Sequence, residues 1–312
     1  MNNINIRIAE KSDFDNVYNF ISKHWDGNPL YSVYPEMMKY HHLQGERLNF
    51  VMAQEEGSKE IVGLLGFIQY SQEEQFDIGT AVWKTISSDR PMLGLELLDY
   101  LAKYSGTRVC IGCGTKAKAL PLVKYLGWHV DWLKHYYRLA DKENYQVAVV
   151  NHKEILPFDA TKYRDKKPYK DEWFIENRYF NHPMYKYQIY GVCSNEDTCN
   201  SIMIVREIEQ NNVKILRVVD YIGDVEEIRY LSMSIQKLMD TYDYEYGVAE
   251  EIMKEAGFAR REAKDTNIIP CYFEPYEQTN VELSIITTEH ENICIFKGDA
   301  DQDFPRPMKA CN

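Results

Sequence analysis

The stretch that most narrows the choice of fold runs from residue 76 to residue 112. A strand pattern (76–84) is followed by a polar turn. Next comes a helix pattern opening at Gly94, with Leu97, Leu98 and Leu101 on one face, and then a second strand pattern (108–112). A helix that crosses between two strands of one sheet requires those strands to run parallel. Just upstream, residues 48–53 and 61–70 read as neighbouring strands joined by the short polar turn 54–59, which builds an antiparallel meander. The sheet must therefore be mixed, antiparallel early and parallel across the helix. Before it, residues 4–9 alternate as a strand, and a helix beginning at Asp13 places Phe14, Val17, Tyr18 and Ile21 on one face. After it, a helix over 118–126 and a closing strand over 135–139 complete the order β-α-β-β-β-α-β-α-β.

A related succession recurs. Strands are expected at 187–193, 201–209 and 214–221, and a helix over 224–242 whose stripe is Val225, Ile228, Leu231, Ile235 and Leu238. A short strand (244–246), a helix (249–256) and strands within 268–296 follow. The 312 residues suit two units of about 150 residues each. The expectation is an α/β chain with mixed sheets in two consecutive units, residues 1–155 and 156–312. The basic run TKYRDKKPYK (161–170) reads as a solvated linker between them.

Composition removes several classes of function. No stretch approaches the roughly 20 apolar residues of a membrane span, and the start of the chain lacks a basic region followed by an apolar one, so neither insertion nor secretion is expected. Seven cysteines at scattered spacings fit a reducing compartment, and cytoplasm is the expected location. A net charge of −12 opposes a phosphate backbone, which argues against DNA and makes tRNA an unlikely partner. No metal is expected. Cys110 and Cys113 lie three apart on one strand and face opposite sides, His41 and His42 sit on a polar helical stretch that reads as surface, and GDADQD (298–303) has Phe304 where a calcium loop needs glycine. That acidic run reads as a solvated tail or as a segment that closes over a basic acceptor.

Residues 118–139, KALPLVKYLGWHVDWLKHYYRL, resemble the closing helix, Gly-aromatic turn and last strands of GNAT N-acyltransferases. AVWKTISSDRPMLGLELLDYL (81–101) occupies the place of that family's acyl-CoA loop. The resemblance implies a GNAT-like acyltransferase fold in each half. It also implies that acetyl-CoA or another acyl-CoA is held by the loop at Ser88, Asp89, Arg90, Leu93, Gly94 and Leu95, where backbone N–H groups and a helix N-terminus would meet the pyrophosphate. The chain departs from the family pattern here. Pro91 has no N–H, Met92 and Leu93 carry side chains where close approach favours glycine, and a single glycine, Gly94, remains. The family's tyrosine acid is also replaced, by Val123 in the first half and Met253 in the second. Asp224, Glu226 and Glu227 would repel a pyrophosphate from the second half.

The whole chain is similar to tandem GNAT-like proteins of bacterial surface-polysaccharide biosynthesis. The residues that carry this are HWDGNPLY (24–31), ENRYFNHPMYKYQIYG (176–191), RVVDYIGD (217–224), IIPCYFEPYEQTN (268–280) and FKGDADQDFPRP (296–307). This implies a small-molecule or glycan acceptor, an amino sugar or nucleotide sugar, and enzymes of glycan biosynthesis as partners. Acyl transfer needs a base for the nucleophile and an acid for the thiolate. The catalytic candidates are Asp220, which ends an apolar strand, His182, Glu176 and Tyr136. For Asp220 a salt bridge to Arg178 or Arg217 is the competing structural role, and for His182 and Tyr136 it is packing. Two other functions stay open: a catalytically silent glycan-binding or scaffold module, and aminoacyl transfer from tRNA.

Overall fold

The computed structural model describes residues 3–24, 30–86, 89–139, 158–193, 199–210, 213–231, 240–262, 268–269, 271, 279–300 and 303–305. Strand β1 (Ile4–Glu10) leads into helix α1 (Phe14–His24), which buries Val17, Phe20 and Ile21. The entry is fixed by Asp13, whose carboxylate accepts the Glu10 N–H at 2.8 Å and is clamped by both terminal nitrogens of Arg7 at 2.7 and 2.8 Å. Helices α2 (Leu30–Val33) and α3 (Pro35–His42) follow, then strands β2 (Leu43–Gln44), β3 (Arg47–Glu55), β4 (Ile61–Gln69) and β5 (Phe76–Thr85). Every residue of β4 is buried, as befits a strand covered on both faces.

Helix α4 (Leu93–Ala102) crosses over to β6 (Thr107–Cys113), which pairs parallel with β5 as expected. Five leucines of α4 are buried, and each contributes roughly 1.5–3 kcal/mol. Helix α5 (Leu120–Tyr125) leads to β7 (His129–Trp132) and β8 (Lys134–Arg138). Beyond them lie α6 (Glu172–Ile175), continued by a π-helical turn (Glu176–Phe180), and strands β9 (Gln188–Cys193), β10 (Cys199–Gln210), β11 (Val213–Gly223) and β12 (Asp240–Tyr246). Helix α7 (Glu250–Glu255) and strands β13 (Ala259–Arg260), β14 (Ser284–Thr287) and β15 (Ile295–Phe296) complete the described elements.

Among the described residues these strands form two mixed sheets. The first runs β1-β3-β4-β5-β6-β14-β7 with β2 on β3, and the second β13-β8-β12-β11-β10-β9 with β15 on β12. One apolar core lies between the sheets. It takes Leu48, Phe50, Met52, Leu64 and Ile68 from one, and Ile189, Ile202, Ile204 and Val219 from the other. The intervening residues of the same strands, such as Val51, Leu65 and Phe67, face α4 and α5 on the far side of the first sheet. Val205, Leu216 and Val218 face α7 on the far side of the second.

Two expectations are corrected. The strand at 135–139 does not close the first sheet. As β8 it pairs with β12 in the second sheet, His135 opposite Tyr244, while β14 from the far end of the chain sits between β6 and β7 in the first. Only Leu133 separates β7 from β8, so a single extended run passes from one sheet to the other. The helix expected over 224–242 is cut short: Val225–Leu231 forms 3₁₀ turns, and Asp240–Tyr246 is a strand parallel to β11. Residues 232–239 lie outside the described residues. No helix among the described residues is long and apolar enough to cross a membrane.

Candidate active site

The end of β4, the turn between α3 and β2, and the π-helical turn enclose a cavity of about 560 Å³. The π turn matters because it sets Arg178 and Tyr179, adjacent in sequence, both inside the protein. Tyr40 closes one side by donating its hydroxyl to the Asn177 carbonyl.

His41, on the cavity wall, ends a hydrogen-bond chain whose proton positions follow from its far end. His42 Nδ1 lies 3.2 Å from the Phe67 carbonyl, which can only accept, so Nδ1 carries the proton. His42 Nε2 must then accept from the Tyr31 hydroxyl at 2.9 Å. Having spent its only proton, the Tyr31 oxygen accepts from Nδ1–H of His41 at 3.1 Å. The remaining nitrogen of His41, Nε2, keeps a bare lone pair. That atom is buried and has no hydrogen-bond partner among the described residues. Burial holds the His42 imidazole down at about 3 and pushes His41 well below the usual histidine range, so both rings are neutral. The His41 ring stacks on Phe304 at 3.8 Å between centroids.

His182 has the opposite polarity. Its Nδ1 accepts the backbone N–H groups of Met184 (3.2 Å) and Tyr185 (2.8 Å), which puts the proton of the neutral ring on Nε2. This nitrogen too is buried without a partner among the described residues, and the ring lies 6.2 Å from that of His41. An unspent acceptor and an unspent donor therefore sit beside the cavity. Among the described residues no cluster of His, Cys, Asp and Glu side chains is arranged to hold a metal ion.

Behind the cavity the acidic run is buried instead of solvated. Asp299 pairs with Lys170 at 2.8 Å, and both carboxylate oxygens of Asp220 lie 2.7 Å from the same ammonium. The Tyr179 hydroxyl donates to Asp220 at 2.6 Å. Asp303 accepts from Arg206 and from the Tyr187 hydroxyl, each at 2.8 Å. Burial alone would raise the Asp303 carboxyl; the guanidiniums of Arg206, Arg217 and Arg178 hold it at about 2. The salt-bridge partner of Asp220 is thus Lys170, the last residue of the run read as a solvated linker, and not Arg178 or Arg217.

The two sheets each have a pair of parallel strands that part. Strands β5 and β6 pair only as far as Gly79 and Ile111, after which β5 continues along β4 alone. Strands β11 and β12 pair only through Arg217 and Tyr242. In the second sheet the parting is filled by the chain itself. Phe296 pairs with Glu245, and the Gly298 N–H donates to the Val219 carbonyl at 2.8 Å. A Cβ at Gly298 would stand 2.5 Å from the Val219 side chain, so only glycine fits. Among the described residues no strand pairs into the parting of β5 and β6, and α4 begins just beyond it.

No protein-family model matches the sequence, and no curated protein is similar to it. Solved structures do match. An acetyltransferase candidate from Pyrococcus horikoshii superposes over 96% of this chain and 95% of its own, with a TM-score of 0.52 at 14% identity. A GCN5-related N-acetyltransferase from Anabaena variabilis covers 91% of this chain and 72% of its own, with a TM-score of 0.53 at 11% identity. An Enterococcus faecalis protein of unknown function, an N-acyltransferase candidate, covers the same shares with a TM-score of 0.53 at 8% identity. The fold is that of the GNAT acyltransferases. Two such folds cover the chain, each with its own mixed sheet.

Within the first GNAT fold, the loop expected to hold acyl-CoA is partly engaged with itself. The Leu93 N–H donates to the Arg90 carbonyl at 3.0 Å, and the Arg90 guanidinium is bound by Glu96 at 2.6 and 3.1 Å. Leu93 and Leu95 point into the core beneath α4. Gly94 packs against the Trp83 indole, where a Cβ would stand 3.3 Å from Nε1. Asp89 borders the loop, and Ser88 lies outside the described residues. What fits an acyl-CoA here is the helix N-terminus beside the parting strands and the bare Cα of Gly94; what opposes it is the carboxylate of Glu96 in the first turn.

The structure brings His182 to the cavity region and places Asp220 behind it, but it does not gather all four catalytic candidates. Glu176 is exposed. Tyr136 is buried in the core on the far side of the second sheet, with Leu216 and Phe258. His41 and His42, read as surface, are buried instead. Their signal was present in the helical spacing: Met37 and Met38 precede them by three to five positions, and all four share the buried face of α3.

Proposed function

We propose that the chain is an acyltransferase that uses acetyl-CoA or another acyl-CoA, and that it consists of two GNAT-like units, residues 1–155 and 156–312, with exchanged strands. The acceptor is a small amine, an amino sugar, nucleotide sugar or glycan precursor of surface-polysaccharide biosynthesis. The observation that carries this reading is the bare lone pair of His41 Nε2 on the wall of the 560 Å³ cavity. An amine hydrogen donated to Nε2 leaves the nitrogen more nucleophilic, and Nε2 is where its proton goes as the amide forms. The Tyr31–His42–Phe67 chain holds the ring in the tautomer that can accept it. Cavity residues Tyr40, Trp173 and Phe304 offer flat apolar faces, and Gln44, Gln69 and Gln72 offer amides, a mixture suited to a sugar ring. Arg90, Gly94 and Leu95, with Ser88 and Asp89, would hold the acyl-CoA, which supplies the activated acyl group.

The Arg90–Glu96 pair favours a second reading, a silent module that binds glycan intermediates or holds biosynthetic enzymes together. Calorimetric titration with acetyl-CoA separates the two. Replacing Glu96 with Gln releases Arg90 and removes an anion from the helix N-terminus, so affinity should rise by about two- to fivefold, the equivalent of about 0.3–1 kcal/mol. Gly94→Glu should abolish binding, although its pressure on Trp83 calls for a parallel check of folding. Absence of saturable binding in both the native protein and Glu96→Gln would discard the transferase reading.

A further inference from the structure

The cavity lining contains two guanidiniums, Arg47 and Arg178, and no carboxylate. This is unexpected in a chain with a net charge of −12. Arg47 is held by neutral groups: the Asn49 amide oxygen at 2.8 Å, the Tyr104 hydroxyl at 3.5 Å, and the side-chain oxygens of Gln44 and Gln69. Arg178 is 4% exposed, and it donates to the Tyr187 hydroxyl at 3.1 Å and the Asp303 backbone carbonyl at 3.3 Å. The nearby carboxylate of Asp303 is taken by Arg206 and Tyr187. Among the described residues, neither Arg47 nor Arg178 has a carboxylate within ion-pair distance.

A buried cation that meets only neutral partners is costly, and a guanidinium fork is shaped for a bidentate oxyanion. We infer that the cavity is an anion site: the acceptor carries a phosphate, which Arg47 and Arg178 anchor, and its amine donates to Nε2 of His41. The acceptor class is then a phosphorylated amino sugar. The amine's role rests on the acyl-transfer reading, whereas the anion site stands without it.

The two are tested apart by titrating the full chain, without acetyl-CoA, with glucosamine 1-phosphate, glucosamine and inorganic phosphate. Glucosamine 1-phosphate should bind saturably and at least about tenfold more tightly than glucosamine, a gap of about 1.4 kcal/mol. Arg47→Gln, at a half-buried position that tolerates change, should erase that gap. Arg178→Lys keeps the charge but loses the fork and should weaken both phosphate-bearing probes. His41→Ala should weaken glucosamine 1-phosphate and leave inorganic phosphate unchanged. Equal binding of glucosamine and glucosamine 1-phosphate, no binding of either phosphate probe, or full affinity in Arg47→Gln would overturn the anion site. Inorganic phosphate binding as tightly as glucosamine 1-phosphate would overturn the assignment of the amine to His41. Failure of acetyl-CoA to bind in the separate titration touches neither result.

Discussion

Replacing Lys170 with Met tests the buried charge cluster that joins the two sheets. The ammonium is 4% exposed and faces two carboxylates that are fully buried, Asp220 through two contacts of 2.7 Å and Asp299 through one of 2.8 Å. Methionine fills much the same volume, so the change is chiefly electrostatic. It strands two anions with only the Tyr179 hydroxyl and the Tyr221 and Phe296 N–H groups to stabilise them. Removing one partner of a buried pair costs about 3–5 kcal/mol, and with two anions left behind the upper end is expected near neutral pH. Without the lysine, one carboxyl of the pair takes up a proton and its folded pKa rises. A raised folded pKa gives stability that is present at low pH and lost as pH rises through it. The penalty relative to the native protein should therefore shrink on going from about pH 8 to about pH 6.5, by roughly 1.4 kcal/mol per pH unit for one proton. Urea denaturation of both proteins at each pH measures it. A penalty below about 1 kcal/mol, or one that does not change with pH, would refute the claim that Lys170 neutralises this pair.

Two further outcomes are expected. His41, His42, His135 and His182 are buried, and burial lowers the last three to about 3, so their stabilising effect is complete above the unfolded value and lost as pH falls. Stability should decline below about pH 6.5 by roughly 1.4 kcal/mol per unit for each ring, and a urea midpoint unchanged between about pH 7 and about pH 5 would contradict this. Tyr136→Phe removes a hydroxyl that is buried with no partner among the described residues, so thermal unfolding should show stability unchanged or raised by up to about 1 kcal/mol. Acyl transfer should continue at its native rate, and a drop in turnover without loss of stability would return Tyr136 to the catalytic candidates.

What could be read from the sequence was set by short-range periodicity. The β5–α4–β6 crossover and the β3–β4–β5 meander announce themselves in spacings of two and three to four residues, and the structure has them close to the expected bounds. Partner choice is not encoded in that way. Residues 134–138 alternate like any strand, and nothing local distinguishes pairing with β6 from pairing with β12. The failed helix over 224–242 has the same origin: its apolar stripe is real as far as Leu231, but Thr241, Tyr242 and Tyr244 favour a strand once β11 lies alongside. At the candidate site, Asp299 and Asp303 looked like a solvated acidic run because the cations that bury them, Lys170 and Arg206, are distant in sequence. The loop at Arg90–Leu95 was legible as a place, yet the Arg90–Glu96 pair that occupies it is a matter of rotamers.

The two folds resemble each other closely enough that the difference between them is informative. Each has parallel strands that part, which is where a ligand could lie between strands without cutting a ladder of hydrogen bonds. In the second fold the chain threads its own segment into that parting, anchored by Phe296, Gly298 and the Asp299–Lys170 pair, and a Cβ at Gly298 would be excluded by Val219. The same segment then reaches the first sheet, where the Ala300 N–H donates to the Tyr70 hydroxyl at 2.8 Å, and ends at Phe304, stacked on His41. One strap thus fills the second fold and helps build the cavity of the first. The exchange of β8 and β14 works in the same direction, because each sheet needs a strand from the other half of the chain. Such a molecule does not carry two independent sites; it commits one fold to supporting the other, and its chemistry belongs where the strap ends, at His41.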